Sequence, residues 1–331
     1  MTSVSTTSSI LAVCLLLEVI PAWPAQSGAL ELEARIPLGA VSGRIDHLAI
    51  DLTRHRLFVA ELGNGSLSVV DLDKGQVLKR MGGLSQPQGV AYLPATDTVY
   101  LASGGDGSLK RFGGNDLAPL GVTDVGEDAD NIRLDASADH IVVGYGRGAL
   151  AFIDAASEGM AGEVALAGHP EAFQLEASGS RIFVNVPEAR QIAVVARDAK
   201  RQIAAWQVPG RDNFPMALDE AGSRLLVVDR DPPELLVLDT SRGELMARLP
   251  TCGDADDVFV DRARQRAYVS CGEGFIDVVR QDSDVYERLA RIPTSPGART
   301  ALFVPEMDRL YLAARAQGSE GASVWVLRPE P

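Results

Sequence analysis

Ahead of each of seven short apolar segments stands a four-residue stretch rich in groups that could bind or catalyse. The stretches are Arg44 to His47, Gln86 to Gly89, Asp128 to Asn131, His169 to Ala172, Asp212 to Pro215, Asp254 to Asp257 and Gly297 to Thr300. Eight of these 28 residues are carboxylates, about twice the chain-wide share of 45 in 331. The candidates for ligand contact are Asp46, His47, Asp130, Asn131, His169, Glu171, Asp256, Asp257 and Arg299. A second set, one hairpin further along each unit, adds Glu61, Tyr145, Asn185 and Asp229. Hard oxygen donors of this kind suit Ca²⁺ or Mg²⁺, and Asp130, Glu171 and Asp256 are the metal-ligand candidates. Crowded carboxylates also raise one another's pKa, which would let His47 or His169 act as general acid or base. Against this stands a structural role, because Asp and Asn at loop-to-strand junctions often bond nearby backbone amides. That role suffices for any single Asp; the excess over the whole set favours a ligand site. No His-x-x-x-His or Cys-x-x-Cys spacing argues for zinc. Gly-x-Ser-x-Gly elbows and phosphate loops are also absent from the sequence.

The elements that must position these residues are legible as a repeat. Each unit has an apolar segment and a polar turn, then a second segment six residues on: His47 to Asp51 then Leu57 to Val59, or Asp257 to Asp261 then Ala267 to Val269. Taking the fifth residue of each first segment as anchor gives positions 51, 93, 135, 176, 219, 261 and 304. The even step of about 42 residues marks a repeat architecture. Third and fourth β-rich runs follow, such as Leu235 to Leu238 and Glu244 to Pro250, and no helical period appears. Four strands per unit predict an all-β, seven-bladed propeller. The seventh unit stops after its third strand, while Ala34-Arg-Ile-Pro37 repeats the fourth-strand Ala290-Arg-Ile-Pro293. The N-terminal strand is therefore expected to complete the last blade and close the ring, making residues 30–331 one domain. Alternating strand direction then puts both candidate sets on one face, around the channel mouth.

Composition bounds the rest. With 46% hydrophobic residues the 331-residue chain is globular, and its 31 basic against 45 acidic residues give a net charge of −14. Nucleic-acid binding is unfavoured, since phosphate contacts need Lys and Arg. Ile10 to Leu17 is an apolar run too short to span a bilayer and suited to a signal peptide over residues 1–29, cleaved near 25–29. Export to the periplasm or beyond follows, with no membrane span in the mature chain. Cys14 lies in that leader, leaving Cys252 and Cys271 in one unit, either as a disulfide or as two thiols. Arg133, Gln174 and Phe259 stand where other units carry Ala, and are expected to plug the channel.

The second unit carries a more specific pattern: Ser66-Leu-Ser-Val-Val-Asp-Leu-Asp-Lys-Gly-Gln-Val77, Gln86-Pro-Gln-Gly-Val-Ala-Tyr-Leu-Pro94 and Val99-Tyr-Leu-Ala-Ser103. It resembles the YVTN-repeat (YncE-like) β-propeller family over nearly the whole mature chain. That resemblance implies an exported binding scaffold and brings no catalytic residues. Two functions follow as expectations. The first is a monomeric, exported binding protein for a small molecule, an envelope protein or a carbohydrate. The second is a metal-dependent, lactonase-like hydrolase or lyase using carboxylates and His at the same mouth. The sequence leaves enzyme or non-enzyme open.

Overall fold

A computed structural model describes residues 28–135 and 139–331; residues 1–27 of the leader expected at 1–29 lie outside them. The chain forms seven four-stranded antiparallel sheets, in six of which strands follow one another in chain order from the axis outwards. The innermost strands are Leu48–Asp51, Pro87–Leu93, Ile132–Asp135, Phe173–Leu175, Arg211–Asp219, Ala255–Asp261 and Ala301–Val304. Each touches the next, and the seventh touches the first, so the sheets close into a ring of blades. No helix among the described residues is long and apolar enough to cross a membrane.

Burial follows from this arrangement. The two middle strands of a blade are covered on both faces by neighbouring blades, so they read as unbroken apolar runs. In blade one, Leu57, Phe58, Val59 and Ala60 are all fully buried. The outermost strands have one wet face and alternate, as Arg201–Gln207 does. Interblade cores are knitted by aromatic pairs such as Phe58 with Tyr92 and Tyr268 with Phe303, ring centroids 5.4 and 5.3 Å apart.

Closure is made by Leu30–Gly39, which pairs antiparallel with Ala322–Pro329 from Leu30↔Pro329 to Gly39↔Ala322. Ile36 and Leu38 on that strand join Leu57, Tyr311 and Val324 in one core. Ion pairs from Arg328 and Arg309 to Glu33 reinforce the seam. The seventh blade thus has no unpaired strand between chain ends.

The anchor carboxylates sit on the face opposite the mouth and organise turns. Asp51 accepts the amides of Thr53 and Arg54 at 3.1 and 3.2 Å, and Asp261 accepts that of Arg264 at 3.2 Å. In six blades the residue before the second strand is left-handed without being glycine: His55, Asp97, Asp139, Ser223, Gln265 and Asp308, with φ from 47° to 54°. Arg264 then reaches across to Asp308 of the next blade at 2.7 and 2.9 Å, and Arg54 does likewise to Asp97. These carboxylates hold blades in register.

Candidate functional site

The loops entering the inner strands converge on the other face, where a basin of about 480 Å³ opens. Asp130, His169, Glu171, Asp256 and Arg299 from the expected set line it. Beneath it lies a smaller well of about 30 Å³, which Asp130, Glu171 and Asp256 share and which Asp46, His47, Asn131 and Asp257 complete. Asp46, His47 and Asn131 come from the last one or two positions before their inner strands, and Asp257 lies early on its own strand.

Each carboxylate has a different status. Asp46 is buried and held by Arg44 Nη2 at 2.5 Å and by His47 Nδ1 at 2.9 Å. Burial alone would raise its pKa; the adjacent charges of His47 and Arg44 outweigh burial and bring it below the usual range. Asp256 lies between two arginines, Arg230 Nη2 at 2.5 Å and Arg299 Nε at 3.1 Å. Arg230 is itself stacked over Phe214, 3.8 Å from the ring centroid. Asp257 accepts the Ala301 amide at 2.7 Å, but burial pushes its carboxyl up to about 7. Burial and the Asp130 charge likewise push Glu171 up to about 7. Asp130 is buried, and its Oδ1 has no hydrogen-bond partner among the described residues.

The two histidines carry the opposite shift. Burial pulls His47 down, yet the ion pair with Asp46, 2.9 Å away, and the charges of Asp130 and Asp257 prevail, giving about 9. His169 Nδ1 lies 2.6 Å from the Gly146 carbonyl, and its Nε2 faces Asp130 Oδ2 at 3.7 Å. Burial lowers its pKa, Asp130 and Gly146 raise it more, and it too reaches about 9. Both imidazoles are cationic at neutral pH. The mouth is therefore a salt-laced site of both signs rather than a uniformly acidic one.

Four expected residues are not brought to the basin or well. Glu61 is fully buried, accepting bonds from Ser66, from Ser68 at 2.6 Å and from Arg80 at 2.9 Å. Tyr145 donates to Glu163 on the outermost strand of its blade. Asn185 is buried, its amide donating to the carbonyls of Phe214 and Pro215 at 2.9 and 3.2 Å. Asp229 is buried beside Gly210, and burial raises its carboxyl to about 6. Conversely, Arg44, Gln88, Glu127, Asp128, Arg147, Glu188 and Phe214 line the basin outside the expected set. Arg147 and Glu188 occupy the same hairpins as Tyr145 and Asn185.

Cys252 and Cys271 are disulfide-bonded, sulfurs 2.02 Å apart, and buried in blade six beneath the loop that carries Asp254 and Asp256. Of the expected channel plugs, Arg133 bonds Asn131 and the Ile132 carbonyl, and Gln174 bonds the Met216 carbonyl at 2.9 Å. Gln174 and Phe259 line a separate cavity at the opposite opening. Among the described residues no group of three His, Cys, Asp or Glu side chains is arranged to hold a metal ion.

Comparison with solved structures supports the architecture. The chain is similar to one in Kuenenia stuttgartiensis hydrazine synthase, with a TM-score of 0.74 and 15% identity over 86% of this chain and 97% of that one. It is also similar to a chain of a mitotic checkpoint complex, with a TM-score of 0.77 and 9% identity over 99% and 100%. At such identities the likeness is one of fold alone. No family model and no curated protein matches the sequence.

Proposed function

We propose that this chain is an exported binding propeller of the YVTN-repeat type that takes a small polar molecule in its channel mouth. The observation that carries the reading is the basin of about 480 Å³, walled by charged side chains that the loops of five different blades contribute. Its size suits a small-molecule site. Holding blades in register does not require Asp130, His169, Glu171 and Arg299 to converge there, since the turn carboxylates of the opposite face already serve that purpose. The net charge of −14 speaks against nucleic acid as the occupant. Export is supported by the apolar leader and by a disulfide, which persists in oxidising compartments.

A divalent metal fits this donor set poorly. Ca²⁺ wants six to eight oxygens at 2.3–2.6 Å, whereas Asp256 is taken by two arginines and Asp46 by Arg44 and His47. A screen of polar metabolites by thermal shift tests the binding reading. At least one compound should raise the melting temperature of the wild type and not of Arg299→Ala. A complete absence of shifts across sugars, amines, amino acids and organic acids would overturn it.

One observation favours a second, catalytic reading. Glu171 sits in the basin with its carboxyl raised to about 7, the value expected of a general acid or base at neutral pH. Lactone and ester turnover abolished in Glu171→Gln, with a pH profile breaking near 7, would establish this hydrolase.

A further inference from the structure

The well beneath the basin has a volume of about 30 Å³, room for one water-sized group. The carboxylates around it are unequally engaged. Asp46 is held by Arg44 and His47, Asp256 by Arg230 and Arg299, and Asp257 by the Ala301 amide. Asp130 differs: it is 9% exposed, and among the described residues its Oδ1 is buried without a donor and its Oδ2 has His169 alone, at 3.7 Å. The Glu171 carboxylate beside it makes no hydrogen bond or ion pair among the described residues. A buried acceptor without a donor is costly, so a guest that brings N–H groups is favoured over one that brings oxygen acceptors.

The same walls discriminate between cations. A hard metal needs several oxygens converging at close range, and among the described residues no three acidic or histidine side chains do so. An ammonium instead donates up to three bonds at ordinary hydrogen-bond length to separate acceptors. It also carries a single charge, which the Arg44 guanidinium and His47 in the wall repel less than a divalent ion.

We propose that the well takes the primary ammonium of an amine-bearing small molecule, with Asp130 Oδ1 and the Glu171 carboxylate accepting its hydrogen bonds. The rest of the molecule lies in the basin against Phe214. This inference rests on the binding function proposed above and names the chemistry of its ligand.

The test uses matched pairs, benzylamine with benzyl alcohol and ethanolamine with ethylene glycol, measured by ligand-observed NMR on the folded chain. Each amine should bind at least about tenfold tighter than its alcohol, the gain of a charge-assisted hydrogen bond. That preference should collapse in Asp130→Asn, which keeps the side chain's shape, and shrink in Glu171→Gln. Should Asp130→Asn fail to fold by circular dichroism, Glu171→Gln alone carries the test. Equal binding of amine and alcohol, both weakened in Arg299→Ala, would overturn the ammonium inference and leave the polar-ligand function standing. An amine preference that survives both variants would place the amine elsewhere and also overturn it, as would displacement of the amines by millimolar Ca²⁺ or Mg²⁺. No binding of either pair, joined to a metabolite screen without shifts, would remove both proposals.

Discussion

Asp130 Oδ2 lies 3.7 Å from His169 Nε2, joining the loop that enters blade three to the loop that enters blade four. The contact makes one carboxylate answer to two histidines, because Asp130 also raises the pKa of His47. In Asp130→Asn both imidazoles should titrate lower than the wild-type value of about 9, His169 falling by about one unit or more. His47 should fall less, since Asp46 remains 2.9 Å away. Side-chain NMR titration checks this; unchanged values for both histidines would contradict it.

Asp257 predicts a pH dependence of stability. Its carboxyl is raised from 3.8 to about 7, by burial first, with His47 opposing and Asp256 adding to the shift. A group whose folded pKa exceeds its unfolded pKa stabilises most when protonated in both states. Its contribution is therefore complete below about pH 4 and lost as pH rises through 7. Asp257→Asn stays neutral throughout and can still accept the Ala301 amide. The variant should match wild type near pH 4 and exceed its stability above pH 7 by about 1–3 kcal/mol. Denaturant melts at pH 4, 6 and 8 measure the difference; a variant less stable at pH 8 would refute the assignment.

The Cys252–Cys271 bond closes a loop of sequence separation 19. Replacing both cysteines by Ala should cost about 2–4 kcal/mol. Mouth ligands should weaken too, because Asp254 and Asp256 follow Cys252 directly. A thiol assay on the unfolded mature chain should find no free thiol before reduction and two after it. Two thiols before reduction would exclude the bond.

Ring closure is tested at Ile36, 3% exposed on the strand that completes blade seven. Ile36→Ala should lose about 2–4 kcal/mol, as expected for a large-to-small change in a core. Leu120→Ala, more than half exposed on an outer strand, should change stability by less than about 0.5 kcal/mol. Equal effects would argue that the N-terminal strand contributes nothing to closure.

Much of this fold was readable from the sequence because a propeller repeats one solution seven times. The Ala-Arg-Ile-Pro echo at residues 34–37 and 290–293 marks fourth strands, and the structure pairs the first of them with Ala322–Pro329. Nine expected residues, from Asp46 and His47 to Asp257 and Arg299, line the basin or the well. Glu61, Tyr145, Asn185 and Asp229 do not, for a physical reason. They stand at the ends of second strands, where successive side chains point to opposite faces and a one-residue shift decides which way each turns. Sequence locates that hairpin without fixing its register, so Glu61 and Asp229 are buried between blades while Arg147 and Glu188 reach the basin. The arginines act through partners that sequence alone does not pair. Arg44 and Arg230 neutralise specific carboxylates, and only the folded ring brings Arg230 to Asp256. The repeat anchors Asp51 and Asp261 lie on the opposite face and cap backbone amides.

The central claim is that the channel mouth holds a small polar molecule, and native mass spectrometry measures it most directly. The folded chain would be incubated with a small-molecule extract, desalted, and weighed beside an Asp130→Asn, Arg299→Ala double variant. The account predicts one small-molecule adduct per chain on the wild type and bare polypeptide for the variant. Bare polypeptide for both, or the same adduct on both, would contradict it.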